Sequence, residues 1–191
     1  MSIKENSSIL QSCISDSAVA QIRFNYSDYY EMLFPLTTSN ELFISVVDRD
    51  FILDGYTVRK ISDIESIKEI TQTYLTIHAR IGNLKKLNPP KINISNFRSL
   101  FVDTIKSGEN IIIEGFSPNS EKQFFFIGKA LATSENALKF IPFDGGGNWS
   151  ETPLTIPYSS ISAITLRSSY IKAYSRYIAT HSEQSNKKQK K

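Results

Sequence analysis

The sequence has little of what redox, metal-binding or membrane-spanning proteins need. Its 191 residues contain a single cysteine, Cys13, which excludes an internal disulfide and a thiolate metal cluster. The two histidines, His78 and His181, have no cysteine partner and do not make a zinc site. No apolar run approaches the roughly 20 residues that span a bilayer. We therefore expect no metal, no cofactor and no membrane partner.

The amino terminus lacks a secretion signal. Its first ten residues are polar and serine-rich, without an apolar stretch. The near-absence of cysteine fits a reducing compartment. These features predict a cytoplasmic protein whose residues 1–17 are flexible.

Positive charge is confined to one end of the chain. The formal net charge is +3, and four lysines lie within the last five residues, so that removing their four charges leaves −1. The body is therefore nearly neutral, which disfavours nucleic acid as the main partner. Residues 181–191 are predicted to be a disordered basic tail, with weak nucleic-acid or membrane attraction as the alternative.

Catalytic motifs are absent. There is no phosphate-cradling or dinucleotide-binding glycine pattern and no nucleophile elbow. The carboxylates of Asp48 and Asp50 fit a hairpin turn, where aspartate bonds to the backbone. His78 is expected on the surface or in ordinary packing. We therefore predict that the chain is not an enzyme.

Strand patterns dominate the first half. Apolar and β-branched runs at 18–26, 42–47, 51–53 and 56–58 predict strands, with Asp54-Gly55 as a hairpin turn. Residues 29–33 fit either a helical turn or an extended segment. Residues 61–67 predict a tight turn into a short strand. Apolar residues at spacings of three and four predict a helix over residues 70–87, which the prolines at 89 and 90 end.

The second half repeats this plan. Ser95 is expected to cap a helix over residues 96–106, and strands are predicted at 110–116, 122–131, 137–143, 154–156 and 161–166. A tyrosine-bearing helix at 170–178 closes the chain. Ile64 and Ile67 correspond to Ile161 and Ile164 at an offset of 97. This correspondence predicts an internal duplication.

Core and turn motifs carry a family resemblance over roughly residues 40–178. They are Asp54-Gly55-Tyr56 and Ile61-Ser-Asp-Ile64 in the first half, and Pro90-Lys-Ile92-Asn-Ile94, Asn110-Ile-Ile-Ile-Glu114, Ile127-Gly128-Lys129 and Trp149…Ile156-Pro157-Tyr158…Ile161 in the second. The chain resembles uncharacterised bacterial proteins built as tandem Sm-like (SH3-like) small β-barrels.

The resemblance implies a mainly β fold with short helices and two tandem barrels related by duplication. The first half spans 18–88 with a trailing helix, and the second spans 91–180 with a leading helix. The group has no agreed activity, so the resemblance assigns no functional residues.

Two segments are candidate interaction sites. Asp144, Asn148 and Trp149, the only tryptophan, lie in a glycine-rich loop that is either a recognition loop or a mobile hairpin whose indole folds back on the barrel. Lys85, Lys86 and Lys91 form a small basic cluster beside the linker. The leading hypothesis is a non-catalytic binding, scaffold or regulatory protein that recognises a protein partner through barrel surfaces. The alternative is an RNA-binding regulator on the same Sm-like fold.

Overall fold

The computed structural model describes residues 2–70, 72–118 and 122–188, with side chains as far as residue 180. Within these residues ten strands and four helices are formed, which confirms the mainly β prediction. The strands are β1 (Ala20–Phe24), β2 (Tyr30–Thr38), β3 (Leu42–Arg49), β4 (Ile52–Lys60), β5 (Ile64–Glu69), β6 (Ile111–Phe116), β7 (Gln123–Thr133), β8 (Ala137–Phe143), β9 (Leu154–Pro157) and β10 (Ile161–Leu166). The helices are α1 (Ile3–Asp16), α2 (Gln72–Arg80), α3 (Phe97–Ser107) and α4 (Ser169–Lys188).

The described strands form one antiparallel sheet that does not close on itself. Its order is β5-β1-β2-β3-β4-β10-β6-β7-β8-β9. The first five and the last five strands therefore follow the same internal order. Single 3-10 turns at Ile61–Asp63 and Tyr158–Ser160 precede the last strand of each set. The two sets meet where β4 pairs with β10, from Arg59 opposite Ala163 to Tyr56 opposite Leu166. We call this pairing the seam.

The amino terminus differs from the flexible segment that was expected. Ser2 and Glu5 form a capping box, which satisfies the first free amides of α1. Polar residues such as Lys4, Glu5 and Ser8 are exposed on this helix, whereas Leu10 and Cys13 are fully buried and Asn6 is only 1% exposed. Asn6 Nδ2 also donates to Ile64 O at 3.1 Å. Residues 3–16 therefore form a packed helix where a flexible segment was expected over residues 1–17.

The strongest predicted turn is not a turn. Asp54 and Gly55 lie inside β4, and the chain reverses at Asp50 and Phe51, which both have positive φ. Asp48, expected in that turn, belongs to β3. The glycine is required for another reason: Gly55 has φ +68, and a Cβ there would lie 2.6 Å from Leu166 O. Gly55 thus permits the close approach of the second half.

Two other boundaries differ from expectation. The helix predicted over 70–87 is shorter, because Gly82 adopts φ +77 and a 3-10 turn follows at Leu84–Lys86. The helix predicted over 96–106 is confirmed as α3, but its cap is Asn96, whose Oδ1 accepts from Ser99 N at 2.9 Å. Of residues 29–33, Tyr29 lies in a bend and the others are extended at the start of β2. The prolines at 89 and 90 lie outside the strands.

The carboxyl-terminal prediction lies partly outside the described residues. The backbone of α4 runs to Lys188, so the tail expected over 181–191 overlaps the helix. Residues 189–191 lie outside the described part of the chain.

The two halves share hydrophobic core. One cluster centres on α3 and combines Leu42, Ile44 and Val58 of the first half with Phe101 and Ile164 of the second. Each such side chain contributes about 1.5–3 kcal/mol when fully buried. A second cluster lies between α1 and the strands β1 and β5. The seam therefore joins the halves through side-chain packing as well as through strand pairing.

Candidate functional site

The largest cavity described lies beside the seam, with a volume of about 1230 Å³. Strands of both halves and the start of α4 line it, and we call it the joint cleft. Its charged residues are Glu31, Asp48, Asp50, Asp54, Glu114, Arg49 and Arg59. Its aromatic residues are Tyr30, Tyr74, Phe125 and Tyr170. Five carboxylates against two guanidinium groups give a formal excess of three negative charges.

Arg59 crosses the floor of the cleft and ties the two halves together. Its Nη2 donates to both carboxylate oxygens of Glu31 at 2.9 Å, and its Nη1 donates to Tyr26 Oη at 2.9 Å. Its Nε donates to Thr57 Oγ1 at 3.0 Å. Tyr26 Oη in turn donates to Ser162 O on β10 at 3.1 Å. The burial of Tyr26 raises its pKa to about 12. Arg59 therefore stabilises the fold through these bonds.

Asp48 and His78 form a buried pair at one wall of the cleft. His78 Nε2 lies 3.0 Å from Asp48 Oδ2, and both side chains are fully buried. Tyr74 Oη donates to the same carboxylate oxygen at 2.5 Å, and burial raises the pKa of Tyr74. Asp48 Oδ1 has no hydrogen-bond partner in the described part of the chain. One carboxylate oxygen thus carries both contacts.

Asn83 contacts the second ring nitrogen of His78. Asn83 Nδ2 donates to Phe51 O at 2.8 Å, and Lys86 Nζ donates to Asn83 Oδ1 at 3.3 Å. The amide nitrogen of Asn83 therefore faces His78 Nδ1, at 3.1 Å. In the tautomer that this contact favours, Nδ1 accepts from Asn83 and Nε2–H donates to Asp48. A histidine locked in this way has no free nitrogen for a substrate.

The cleft also contains the exposed carboxylate of Asp50, the half-buried carboxylate of Glu114 and three exposed rings. The Glu114 side chain makes no hydrogen bond or ion pair among the described residues, and burial raises its pKa despite the opposing effect of Arg59. Phe125 and Tyr170 are 51% and 46% exposed and meet edge to face at 6.1 Å. Tyr30 is 50% exposed on the opposite side. Exposed rings beside excess carboxylates attract ammonium and guanidinium groups.

The predicted recognition loop separates into two parts. Asp144 Oδ1 accepts from Gly146 N and Asn148 N at 2.9 Å each, and these backbone bonds lower the pKa of Asp144. Asp144 and Asn148 therefore shape the loop. Trp149 instead packs edge to face on Phe143 at 5.1 Å and remains 37% exposed.

Trp149 lines a second cavity of about 750 Å³, which we call the Trp149 pocket. Its charged residues are Glu109, Lys129, Arg167, Lys172 and Arg176. The joint cleft is acidic, whereas this pocket is basic. Of the residues of the predicted loop, only Trp149 lines it.

The predicted basic cluster is not brought to any of the cavities described. Lys85 and Lys91 are exposed and line none of them. Lys86 instead donates to Asn83 and supports the buried His78 network. A binding role for this cluster remains a prediction. A separate group of cations, from the second half, lines the Trp149 pocket.

The residues of the joint cleft were mostly missed from the sequence. The spacing of Tyr74 and His78, one helical turn apart, was the available signal, since such residues share a face. Asp48 lies 30 positions from His78, and the sequence contains no pattern that connects them. Glu31, Arg59 and Glu114 come from different strands of the sheet and become neighbours through strand order.

No metal or cofactor chemistry is indicated by the described residues. They contain no group of three or more His, Cys, Asp or Glu side chains placed to hold a metal ion. Cys13 is buried, and this burial raises its pKa to about 11. Within the same residues, no helix combines the length and apolarity needed to cross a membrane. The absence of a cofactor stays a prediction.

Comparison with known proteins adds no relatives to this picture. No family model, curated protein or solved structure matches the chain.

Proposed function

We propose that this chain is a non-catalytic binding protein that recognises a protein partner through the joint cleft. The observation that carries the proposal is the lining of the cleft, where three exposed aromatic rings accompany an excess of carboxylates. Protein interfaces centre on aromatic anchors surrounded by polar groups. The partner segment that fits presents Arg or Lys side chains to Glu114 and Asp50 and lays their stems on the rings.

The absence of catalysis is supported by the state of the candidate groups. His78 is buried and bonded through both ring nitrogens. General acid–base catalysis requires a group within hydrogen-bond reach of a substrate proton. Arg59 and Asp48 are likewise engaged inside the fold. The cleft therefore offers surfaces for recognition without a nucleophile–base pair.

We also propose that the two halves are tandem Sm-like small barrels related by internal duplication. The identical strand order of the two five-stranded sets supports this proposal. So do the 3-10 turns at Ile61–Asp63 and Tyr158–Ser160, each leading directly into the last strand of its set. In this arrangement the seam joins the fourth strand of one repeat to the fifth strand of the other.

The alternative of an RNA-binding regulator is less well supported at the joint cleft. Its negative charge repels a phosphate backbone. Single-strand binding requires aromatic platforms interleaved with cations. Among the described residues, the Trp149 pocket combines an exposed ring with several cations, and the joint cleft does not. We therefore assign the cleft to a protein partner.

Affinity capture with matched variants tests the proposal. The purified full chain, a Phe125→Ala/Tyr170→Ala variant and a Tyr29→Ala variant serve as bait for host lysate, each with and without nuclease. Tyr29 is 81% exposed and lines no cavity described, so its loss controls for removing a surface ring. We expect one protein species that the wild type and Y29A retain after nuclease treatment and that the double variant loses.

A second measurement decides whether charge contributes. Glu114→Gln and Asp50→Asn each remove one cleft carboxylate without changing side-chain size, and the affinity for the captured protein is then measured against ionic strength. A weaker, less salt-sensitive complex is expected. If all baits capture the same proteins, or if nuclease releases them all, the assignment of the cleft to a protein partner is wrong.

A further inference from the structure

The Trp149 pocket has a chemistry that the joint cleft lacks. Lys129 projects its Nζ to 5.9 Å from the centre of the indole ring. Lys172 and Arg176, one turn apart on α4, are exposed at the pocket wall. Among the described side chains none of these three cations forms an ion pair with a carboxylate. Three cations without an ion-pair partner among the described side chains therefore line the same pocket as Trp149.

The fourth cation of the pocket is held in place. Arg167 Nε donates to both carboxylate oxygens of Glu109, at 3.0 and 3.2 Å. Its backbone adopts φ +54, a conformation that a non-glycine residue occupies only when its surroundings impose it. Such positions are concentrated at binding sites. Arg167 and Glu109 thus form an ion pair within the lining of the pocket.

An unsatisfied polar group also belongs to this pocket. Asn110 Nδ2 donates to Ser175 Oγ at 2.9 Å, whereas Asn110 Oδ1 has no hydrogen-bond partner among the described residues. Buried polar atoms are normally bonded, and an exception calls for an explanation.

We propose that the Trp149 pocket binds a mononucleotide. The base lies against Trp149, and the phosphate binds Lys172 and Arg176. The volume of about 750 Å³ falls within the range of small-molecule sites, and cations beside an aromatic ring match the two parts of a nucleoside phosphate. An extended strand needs a row of platforms, and the pocket contains a single ring. The site is separate from the joint cleft and does not depend on a protein partner.

The chain contains its own probe for this binding. Trp149 is its only tryptophan, so tryptophan fluorescence reports on this pocket alone. The full chain is titrated with AMP, ATP and GMP. Adenosine and inorganic phosphate test the ring and the anion separately. Single-stranded oligonucleotides are titrated in the same way. We expect saturable quenching by the nucleotides and a weaker response to either half of the ligand.

Charge reversal locates the phosphate. Lys172→Glu and Arg176→Glu are each expected to weaken nucleotide binding by about tenfold or more, because each removes a charge-assisted bond and adds repulsion. Arg98→Glu on α3 is the matched control, since Arg98 is an exposed helical residue that lines neither cavity. The nucleotide affinity of the Arg98→Glu variant is expected to stay within about twofold of wild type.

Three results would overturn the proposal. The first is the absence of saturable quenching by any nucleotide. The second is an equal loss of affinity in R176E and R98E, which would show a general effect of net charge. The third is binding of oligonucleotides alone, with affinity rising with length, which would show an extended nucleic-acid surface. Circular dichroism of each variant verifies that it is folded.

Discussion

Substitution of Gly55 tests whether the two halves pack as closely at the seam as the structure shows. Replacing it by alanine adds one methyl group at a position with φ +68, 2.6 Å from both Leu166 O and Ser168 N. The left-handed backbone costs a non-glycine residue about 1–2 kcal/mol. Overpacking against neighbours that cannot move costs about 1–3 kcal/mol. Since the contacted atoms are backbone, both costs apply, and Gly55→Ala should lower the free energy of unfolding by about 2–5 kcal/mol.

Gly82 separates the two contributions. It has a similar φ of +77, but a Cβ built on it meets nothing within 4 Å. Gly82→Ala therefore carries the conformational cost alone, about 1–2 kcal/mol. The difference between the two variants measures the close approach of β10 and the start of α4 to β4.

Urea unfolding of the full-length variants, followed by far-ultraviolet circular dichroism, gives the comparison. Gly55→Ala should be less stable than Gly82→Ala by about 1–3 kcal/mol, a large share of the roughly 5–15 kcal/mol that stabilises a typical domain. Equal stabilities within about 0.5 kcal/mol would refute the packing at the seam, because they would mean that nothing approaches Gly55.

Three further predictions concern buried ionisable groups. His78→Ala removes a donor from the buried carboxylate of Asp48 and should lower the free energy of unfolding by about 3–5 kcal/mol, which urea melts measure; a loss below about 1 kcal/mol would contradict the pairing. Because burial raises the pKa of Glu114, wild-type stability should fall as pH rises from the ordinary glutamate range through the raised value, and Glu114→Gln should lack that fall. Parallel curves for the two proteins would be the contrary result. Cys13, whose pKa burial raises to about 11, should resist iodoacetamide at about pH 8 until urea unfolds the chain, and prompt labelling of the native protein would count against its burial.

The sequence predicted the elements of the sheet better than their connections. Period-two apolar runs located most strands, because alternation reports one buried face directly. Asp54-Gly55 was misassigned because a glycine with positive φ serves a two-residue turn and a close backbone contact equally well. The contact involves Leu166, more than a hundred residues away, and no local pattern contains that information.

The amino-terminal helix was missed for a related reason. Its serines and charged residues read as a loose segment, yet Ser2 and Glu5 at a spacing of three were a capping signal. Leu10 and Cys13 supply a narrow buried stripe. A short amphipathic helix owes most of its stability to what it packs against, and that surface exists only once β1 and β5 have paired.

The candidate sites likewise combine residues that the local sequence indicates with contacts between distant residues that it does not. Trp149 attracted interest as a rare residue in a glycine loop, and the structure places it in a pocket. Its cationic neighbours lie on β7 and α4, which the sequence cannot bring together. The joint cleft was unforeseen because most of its members are ordinary strand residues, joined by residues of α2 and α4. Their proximity arises from the pairing of β4 with β10, which is a property of strand order.

The helix α4 links the two proposed sites, and the link constrains how each is tested. Asp54 Oδ1 accepts from Ser169 N at 2.6 Å, which anchors the first turn of α4 to β4. Tyr170 faces the joint cleft from that turn, while Lys172 and Arg176 line the Trp149 pocket. Removing Asp54 would loosen both walls at once, so its loss could not assign a function to either. Substitutions of Tyr170, Lys172 or Arg176 leave the bond between Ser169 N and Asp54 intact. A variant at one site should therefore leave binding at the other site unchanged.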